Sequence, residues 1–249
     1  MTIQVRKEKS EPDNTLCCQS RNFSIVTNFG CARQCFFCAF ANHRLKQKRQ
    51  AIDWDYLNWC IGQFTGLKVS VSGGGDPLFN LEENLPTLKK IIAICNNHGR
   101  QVDLHTNEDL LDKLAVIESL GFHQVVVSTH TISEVRKEEL ERLLKFSHLR
   151  AVVVYVGQGV DWVRQWIKFY SFVPKLTVRE CRGVVNDFDN IRKTLSSEFP
   201  NVCFLEDGEY NYYFMPDNLV YDDYEATTLA REFQRKERRR NNDNPERYS

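Results

Sequence analysis

The chain has 249 residues, 42% of them hydrophobic and 27% charged, and its 33 Lys and Arg balance 33 Asp and Glu. This is the composition of an ordinary globular protein, with no global charge to attract nucleic acid or a membrane surface. No apolar run is long enough to span a bilayer, and the polar start "MTIQVRKEKSEPDN" lacks the apolar core of a signal peptide. A cytoplasmic location is therefore expected. In a reducing compartment the nine cysteines should divide into buried apolar thiols and metal-binding or catalytic thiols, not disulfides.

In chain order, residues 1–22 read as a flexible lead-in. From there, short β-branched runs alternate with segments of helical period. Strands are predicted over Phe23–Thr27, Leu67–Ser72, Gln101–His105, Gln124–Thr129, Arg150–Val156 and Lys175–Glu180. The helices between them carry apolar stripes. The first has Trp54, Leu57, Cys60, Ile61 and Phe64, and the second has Leu81, Leu85, Leu88, Ile92 and Cys95. The third, with Leu110, Leu114 and Ile117, ends at a Gly121 cap. The fourth has Val135, Leu140, Leu143 and Leu144, with Ser133 as its cap and Glu134, Glu138 and Glu139 on a solvated face. The fifth has Trp162, Trp166, Ile167 and Tyr170, and the sixth has Phe188, Ile191, Leu195 and Phe199.

Six strand–helix units predict an α/β fold, a partial (β/α)6 barrel of parallel strands. Near-continuous apolar strands such as "AVVVYV" fit a sheet that is covered on both faces. After the sixth helix the alternation breaks: "NVCFLEDGEYNYYFMPDNLVYDD" reads as another strand and a hairpin turning near Pro216–Asn218, followed by a charged tail. The organisation is thus 1–22 lead-in, 23–205 barrel, 206–249 hairpin and tail. Tyr210, Tyr212, Tyr213 and Tyr221 either close the open side of the barrel or simply pack on a sheet edge.

The stretch "NFGCARQCFFCAF" follows the first strand, at the end of the barrel where function collects. Three thiolates, Cys31, Cys35 and Cys38, can hold three irons of a [4Fe–4S] cluster and leave the fourth open, since such clusters ordinarily take four cysteines. Structural zinc ordinarily needs a second cysteine pair, which is absent here. A redox pair of Cys35 and Cys38 leaves Cys31 without a role. The second strand ends in "SVSGGGDPLF", where Gly73, Gly74, Gly75 and Asp76 could bring backbone close to a ligand.

The C-x3-C-x2-C spacing, with Phe37 before the last cysteine, resembles the signature of the radical S-adenosylmethionine (SAM) superfamily. The resemblance covers roughly residues 23–205. It implies a [4Fe–4S] cluster on Cys31, Cys35 and Cys38, with SAM chelating the open iron and cleaved to a 5′-deoxyadenosyl radical that abstracts hydrogen from a substrate. It also implies Phe37 against the adenine and the Gly73–Asp76 segment at the methionine moiety. The family's Gly-Gly-Glu-Pro-like segment reads Gly74-Gly75-Asp76-Pro77 here, one methylene short at the acid.

Other strand ends add candidates. His105, Thr106 and Asn107 are polar at the mouth and could meet the ribose or carboxylate of SAM, although Asn107 could equally cap the next helix. Ser128, Thr129 and His130 could contact ribose or substrate. The glycines of "VYVGQG" could admit the adenine. Arg179 or Arg182 could bind a carboxylate or phosphate. Cys181 is a candidate hydrogen donor or a buried inert thiol, while Cys60, Cys95 and Cys203 read as packing. Cys17 and Cys18 lie outside the barrel. The basic run Asn42–Gln50 is a solvated loop or a site of attraction for an anionic substrate or acidic donor.

The expected partners are a small-molecule or peptide substrate and an electron donor such as flavodoxin or ferredoxin, with no membrane and no nucleic acid. Small family members such as 7-carboxy-7-deazaguanine synthases offer one substrate alternative. A non-catalytic zinc- or cluster-binding module offers another.

Overall fold

A computed structural model describes residues 22–27, 29–33, 35, 37–38, 51–181, 185, 187–205, 212–215, 218 and 220–221. The lead-in with Cys17 and Cys18, the basic run 42–50, Arg182, Tyr210 and the charged tail lie outside the described residues.

Nine strands form one open sheet in the order β7-β6-β5-β4-β3-β2-β1-β8-β9. They are β1 (Phe23–Ile25), β2 (Lys68–Val71), β3 (Gln101–Thr106), β4 (Gln124–Ser128), β5 (His148–Tyr155), β6 (Lys175–Glu180), β7 (Val202–Leu205), β8 (Tyr212–Phe214) and β9 (Val220–Tyr221). The helices are α1 (Trp54–Gln63), α2 (Leu81–Asn97), α3 (Leu114–Leu120), α4 (Glu134–Leu143), α5 (Val160–Phe169) and α6 (Phe188–Ser196). β1 to β7 run parallel, each joined to the next by a crossover, giving the expected partial barrel of six strand–helix units.

β8 lies parallel to β1, and β9 folds back antiparallel on β8. The hairpin therefore lengthens the sheet at the β1 edge, opposite β7, and the described sheet stays open. Phe214 is buried there, and Tyr212 packs its ring edge on Phe64. Asn218 ties the hairpin turn to the start of α1. Its Oδ1 accepts from Asp53 N (2.8 Å) and its Nδ2 donates to Ala51 O (3.1 Å).

Alternation along the strands divides the core. Ile25, Val71, Leu104, Val125 and Leu149 share one register row and are fully or almost fully buried beneath the helices. Along β5, Leu149, Ala151, Val153 and Tyr155 are buried while Arg150, Val152 and Val154 are half-buried on the opposite face, which lines the lumen. Cys60 and Cys95 pack in the core as expected, and burial pushes the Cys95 thiol up to about 12. Gly121 caps α3 in the left-handed conformation, and Ser133 caps α4 by accepting from Arg136 N.

Four expectations need correction. Phe199 lies beyond α6, which ends at Ser196. Leu110 is buried but precedes α3, which starts at Leu114. Val135 leaves the α4 stripe and is 61% exposed. Glu139 is not on a solvated face: it is 2% exposed. Its Oε2 pairs with Arg136 Nη1 at 2.7 Å, and its Oε1 accepts from Leu110 N at 2.6 Å. A carboxylate satisfied on both oxygens can lie on the inner face of a helix that period alone reads as solvated.

Glu139→Ala takes the carboxylate from the half-buried Arg136, which keeps the Glu108 carbonyl (2.7 Å), and leaves the Leu110 N–H without its acceptor. A loss of about 3 kcal/mol is expected in urea denaturation, with a smaller loss for Glu139→Gln.

Candidate active site at the mouth of the barrel

The cysteine loop leaves β1 and is fastened at once to β2 and β3. Phe29 is buried, and its carbonyl accepts from the buried Asn84 Nδ2 of α2 (3.1 Å). Gly30 bridges Gly75 in parallel, and Asp76 N donates to Gly30 O (2.6 Å). Arg33, between the first two cysteines, donates from Nε to Asn107 O (3.0 Å) and pairs with Asp109.

The glycines make this approach possible. Gly74 and Gly75 adopt φ of +68° and +133°. A Cβ on Gly74 would lie 2.0 Å from Thr27 O, and one on Gly75 would lie 2.2 Å from Gly30 O. What these two glycines admit at close range is the backbone of the cysteine loop.

Asp76 is 4% exposed and points inward. Its carboxylate accepts from Thr106 Oγ1 (2.8 and 3.0 Å), from Leu78 N (3.0 Å) and from Asn107 N. Burial holds its pKa above the usual carboxylate range, and these hydrogen bonds pull it back down. The Thr106 hydroxyl is committed to this carboxylate, and Glu108 N donates to it in turn (3.1 Å). Asn107 does not cap a helix. Its Nδ2 donates to Cys35 Sγ at 3.6 Å.

Cys31 is exposed, while Cys35 and Cys38 are half-buried, and all seven described cysteines are free thiols. Arg33 N donates to Cys31 Sγ (3.3 Å), and Cys38 N donates to Cys35 O (2.9 Å). Burial raises the pKa of Cys31 and Cys35 above that of a free thiol. Among the described residues, no three His, Cys, Asp or Glu side chains converge as a single-ion site. A cubane keeps its cysteine sulfurs apart, each on its own iron. Three unpaired thiols from one loop, two of them already accepting N–H groups, suit that kind of group in donor chemistry.

Phe37 sets its ring edge against His130, with centroids 5.0 Å apart. His130 Nδ1 is buried without a hydrogen-bond partner, and burial, helped by Arg136 and Arg33, lowers its pKa to about 4. Thr129 is buried, and its hydroxyl and carbonyl both accept from Trp166 Nε1, at 3.1 and 3.0 Å. Ser128 lies half-buried at the end of β4, in register with Val152. Arg179 and Cys181 stand at the far side of the mouth, at and just after the end of β6. Arg33, Asn84 and Asp109 were not among the sequence candidates. Their role is positional, and residue type alone carries no signal for it.

Residues 25–154 match the family model described as the radical SAM superfamily. The chain belongs to the radical SAM superfamily. Among solved structures, Streptococcus suis SuiB bound to the precursor peptide SuiA superposes with a TM-score of 0.58 at 14% identity, over 81% of this chain and 58% of SuiB. SuiB bound to S-adenosylmethionine gives 0.55 at 15% identity, over 85% of this chain and 65% of SuiB. At this identity the likeness is one of fold, and the chain spans less than two-thirds of SuiB. No curated protein matches the chain.

Two measurements probe this geometry. Asp76→Ala leaves three buried donors unpaired and should cost about 3 kcal/mol in denaturant, while Asp76→Asn, which keeps one acceptor oxygen, should cost less. His105 on β3 has a pKa lowered to about 3 from 6.5 by burial and by the Arg150 and Arg179 guanidiniums. The folded state keeps it neutral, whereas the unfolded chain binds a proton below about pH 6.5. The stability it contributes is complete above that value and is lost as pH falls from there towards 3. His105→Gln should therefore show a shallower stability loss than wild type between about pH 7 and 4.5.

Proposed function

We propose that the chain is a radical SAM enzyme whose Cys31, Cys35 and Cys38 hold a [4Fe–4S] cluster at the mouth of the barrel. When bound, cluster and SAM together supply a one-electron cleavage that yields methionine and a 5′-deoxyadenosyl radical, which takes a hydrogen atom from substrate. The observation that carries the reading is the three-thiol loop at the C-terminal end of β1, within a segment that matches the family model.

The residues of this chain have defined tasks in that reading. Asn107 Nδ2 and the Arg33 N–H group stabilise sulfur charge by donating to Cys35 and Cys31. The carbonyls of the Gly73–Asp76 segment accept from the SAM ammonium group. The Asp76 carboxylate braces β2 against β3 and leaves the direct contact to the backbone. Phe37 presents its ring beside the adenine, Thr106, Asn107 and Ser128 frame the ribose, and Arg179 offers a guanidinium to a carboxylate. Cys181, beyond β6, is assigned as the donor of a hydrogen atom to a substrate radical, the thiyl left behind being returned to the thiol by an electron from the one-electron donor and a proton.

The half-buried lumen gives the substrate a space shielded from water. The substrate is a small molecule or a peptide, and an acidic one-electron donor such as flavodoxin or ferredoxin supplies the electron. The fold likeness to SuiB, a protein solved with a precursor peptide, keeps the peptide class in view.

Anaerobic reconstitution with iron and sulfide, reduction and addition of SAM should yield 5′-deoxyadenosine together with cluster absorbance. The Cys31/Cys35/Cys38→Ala variant should lose both. Stoichiometric zinc with no SAM cleavage by the wild-type chain overturns the reading.

A further inference from the structure

The strand faces turned away from the helices bring a second group of side chains together, below the mouth. His105, Val126, Arg150 and Lys175 stand in one register row across β3, β4, β5 and β6. The row slants across the barrel: His105 is one residue short of the end of β3, just under the mouth, whereas Arg150 is five residues short of the end of β5 and lies deeper. Its Nε donates to Thr177 Oγ1 on the neighbouring strand at 2.7 Å, which fixes the guanidinium and leaves its terminal N–H groups. His105 is half-buried in the same row and has no hydrogen-bond partner among the described residues.

The acid in the row below is already engaged. Asp103 is buried, lies 3.1 Å from His123 Nδ1, and feels Lys68 and Lys175. The charges that reach the His105 ring are the guanidiniums of Arg150 and Arg179, both positive. A half-buried strand face with the held Arg150 guanidinium and the His105 imidazole, partnerless among the described residues, in one row is suited to receive an anion.

We propose that the lumen binds the anionic group of the substrate, a carboxylate or a phosphate, on Arg150 and His105. The inference rests on reading the mouth above as the SAM site, and it narrows the substrate to an anion-bearing molecule that descends head-first. The anion fixes one end of the substrate at the floor of the lumen, so the bond to be attacked is held at the height of the strand ends.

The test is separable from SAM chemistry. Ring-labelled histidine in the full chain is followed by NMR while inorganic phosphate or acetate is added, with His105→Gln used to assign the signal. A saturable shift of His105 with phosphate indicates a phosphorylated substrate, one with acetate indicates a carboxylate, and either supports the site. Arg150→Gln should weaken binding at least tenfold. Arg150→Lys, which keeps the charge but loses the fork, should weaken it less and guards against misfolding of the first variant. Added SAM should leave the bound anion in place. Overturning results are the absence of a saturable shift with both probes, an unchanged affinity in Arg150→Gln, or displacement of the anion by SAM. SAM cleavage by the same preparation reports on the mouth independently.

Discussion

The Asp76 carboxylate lies between the ends of β2 and β3 and accepts from the backbone of Leu78 after β2 and from the Thr106 hydroxyl and the Asn107 backbone at the end of β3. Its own N–H reaches the other way, to Gly30 at the start of the cysteine loop. One buried acid therefore fixes three consecutive strand ends relative to each other. Such a group is costly to bury unless every lone pair is used, and the raised pKa is the residue of that cost. The arrangement depends on Gly74 and Gly75, because a side chain at either would occupy the space taken by the facing carbonyl. Asn107 extends the same link to the chemistry: its backbone N–H is held by Asp76 and its amide reaches Cys35.

This bears on the shorter acid in the Gly-Gly-Asp-Pro segment. A direct contact to a bound amino group needs a side chain that reaches into the mouth. A brace between two strand ends needs a compact acceptor that stays below it. Aspartate, one methylene shorter than glutamate, suits the second task, and its 4% exposure leaves little surface for the first. The segment's contribution to a ligand then falls to its carbonyls, whose positions the brace sets.

Much of the fold was legible because it rests on repeated local signals. β-branched runs bounded by helical stripes placed all six barrel strands within a few residues, as with Gln101–His105 against the observed Gln101–Thr106. What escaped were features decided by partners distant in sequence. Period alone puts Glu139 on the outside of α4, and only its pairing with Arg136 and Leu110 N accounts for its burial. The same blindness applies to the hairpin. Strand pattern foresaw β8 and β9, but the choice of the β1 edge depends on Phe214, Tyr212 and Phe64 packing across more than a hundred residues. At the mouth, the cysteines announce themselves by spacing. Arg33, Asn84 and Asp109 do not, since an arginine, an asparagine and an aspartate in a polar chain are unremarkable until their partners are in place.

The two polar layers of the barrel differ in how they are satisfied, and the difference separates scaffold from binding surface. The Asp76 carboxylate uses both oxygens internally and so holds the strand ends to a fixed geometry, although at the same strand ends Thr27 Oγ1, Glu108 Oε1 and His130 Nδ1 are buried without partners among the described residues. In the adjacent row, Arg150 has one partner in Thr177 and His105 has none among the described residues. A protein seldom leaves a fixed guanidinium and an imidazole facing a shared half-buried space unless something from outside completes them. A braced carboxylate beside an incompletely partnered row lets the strand ends stay fixed while the row discriminates among what enters.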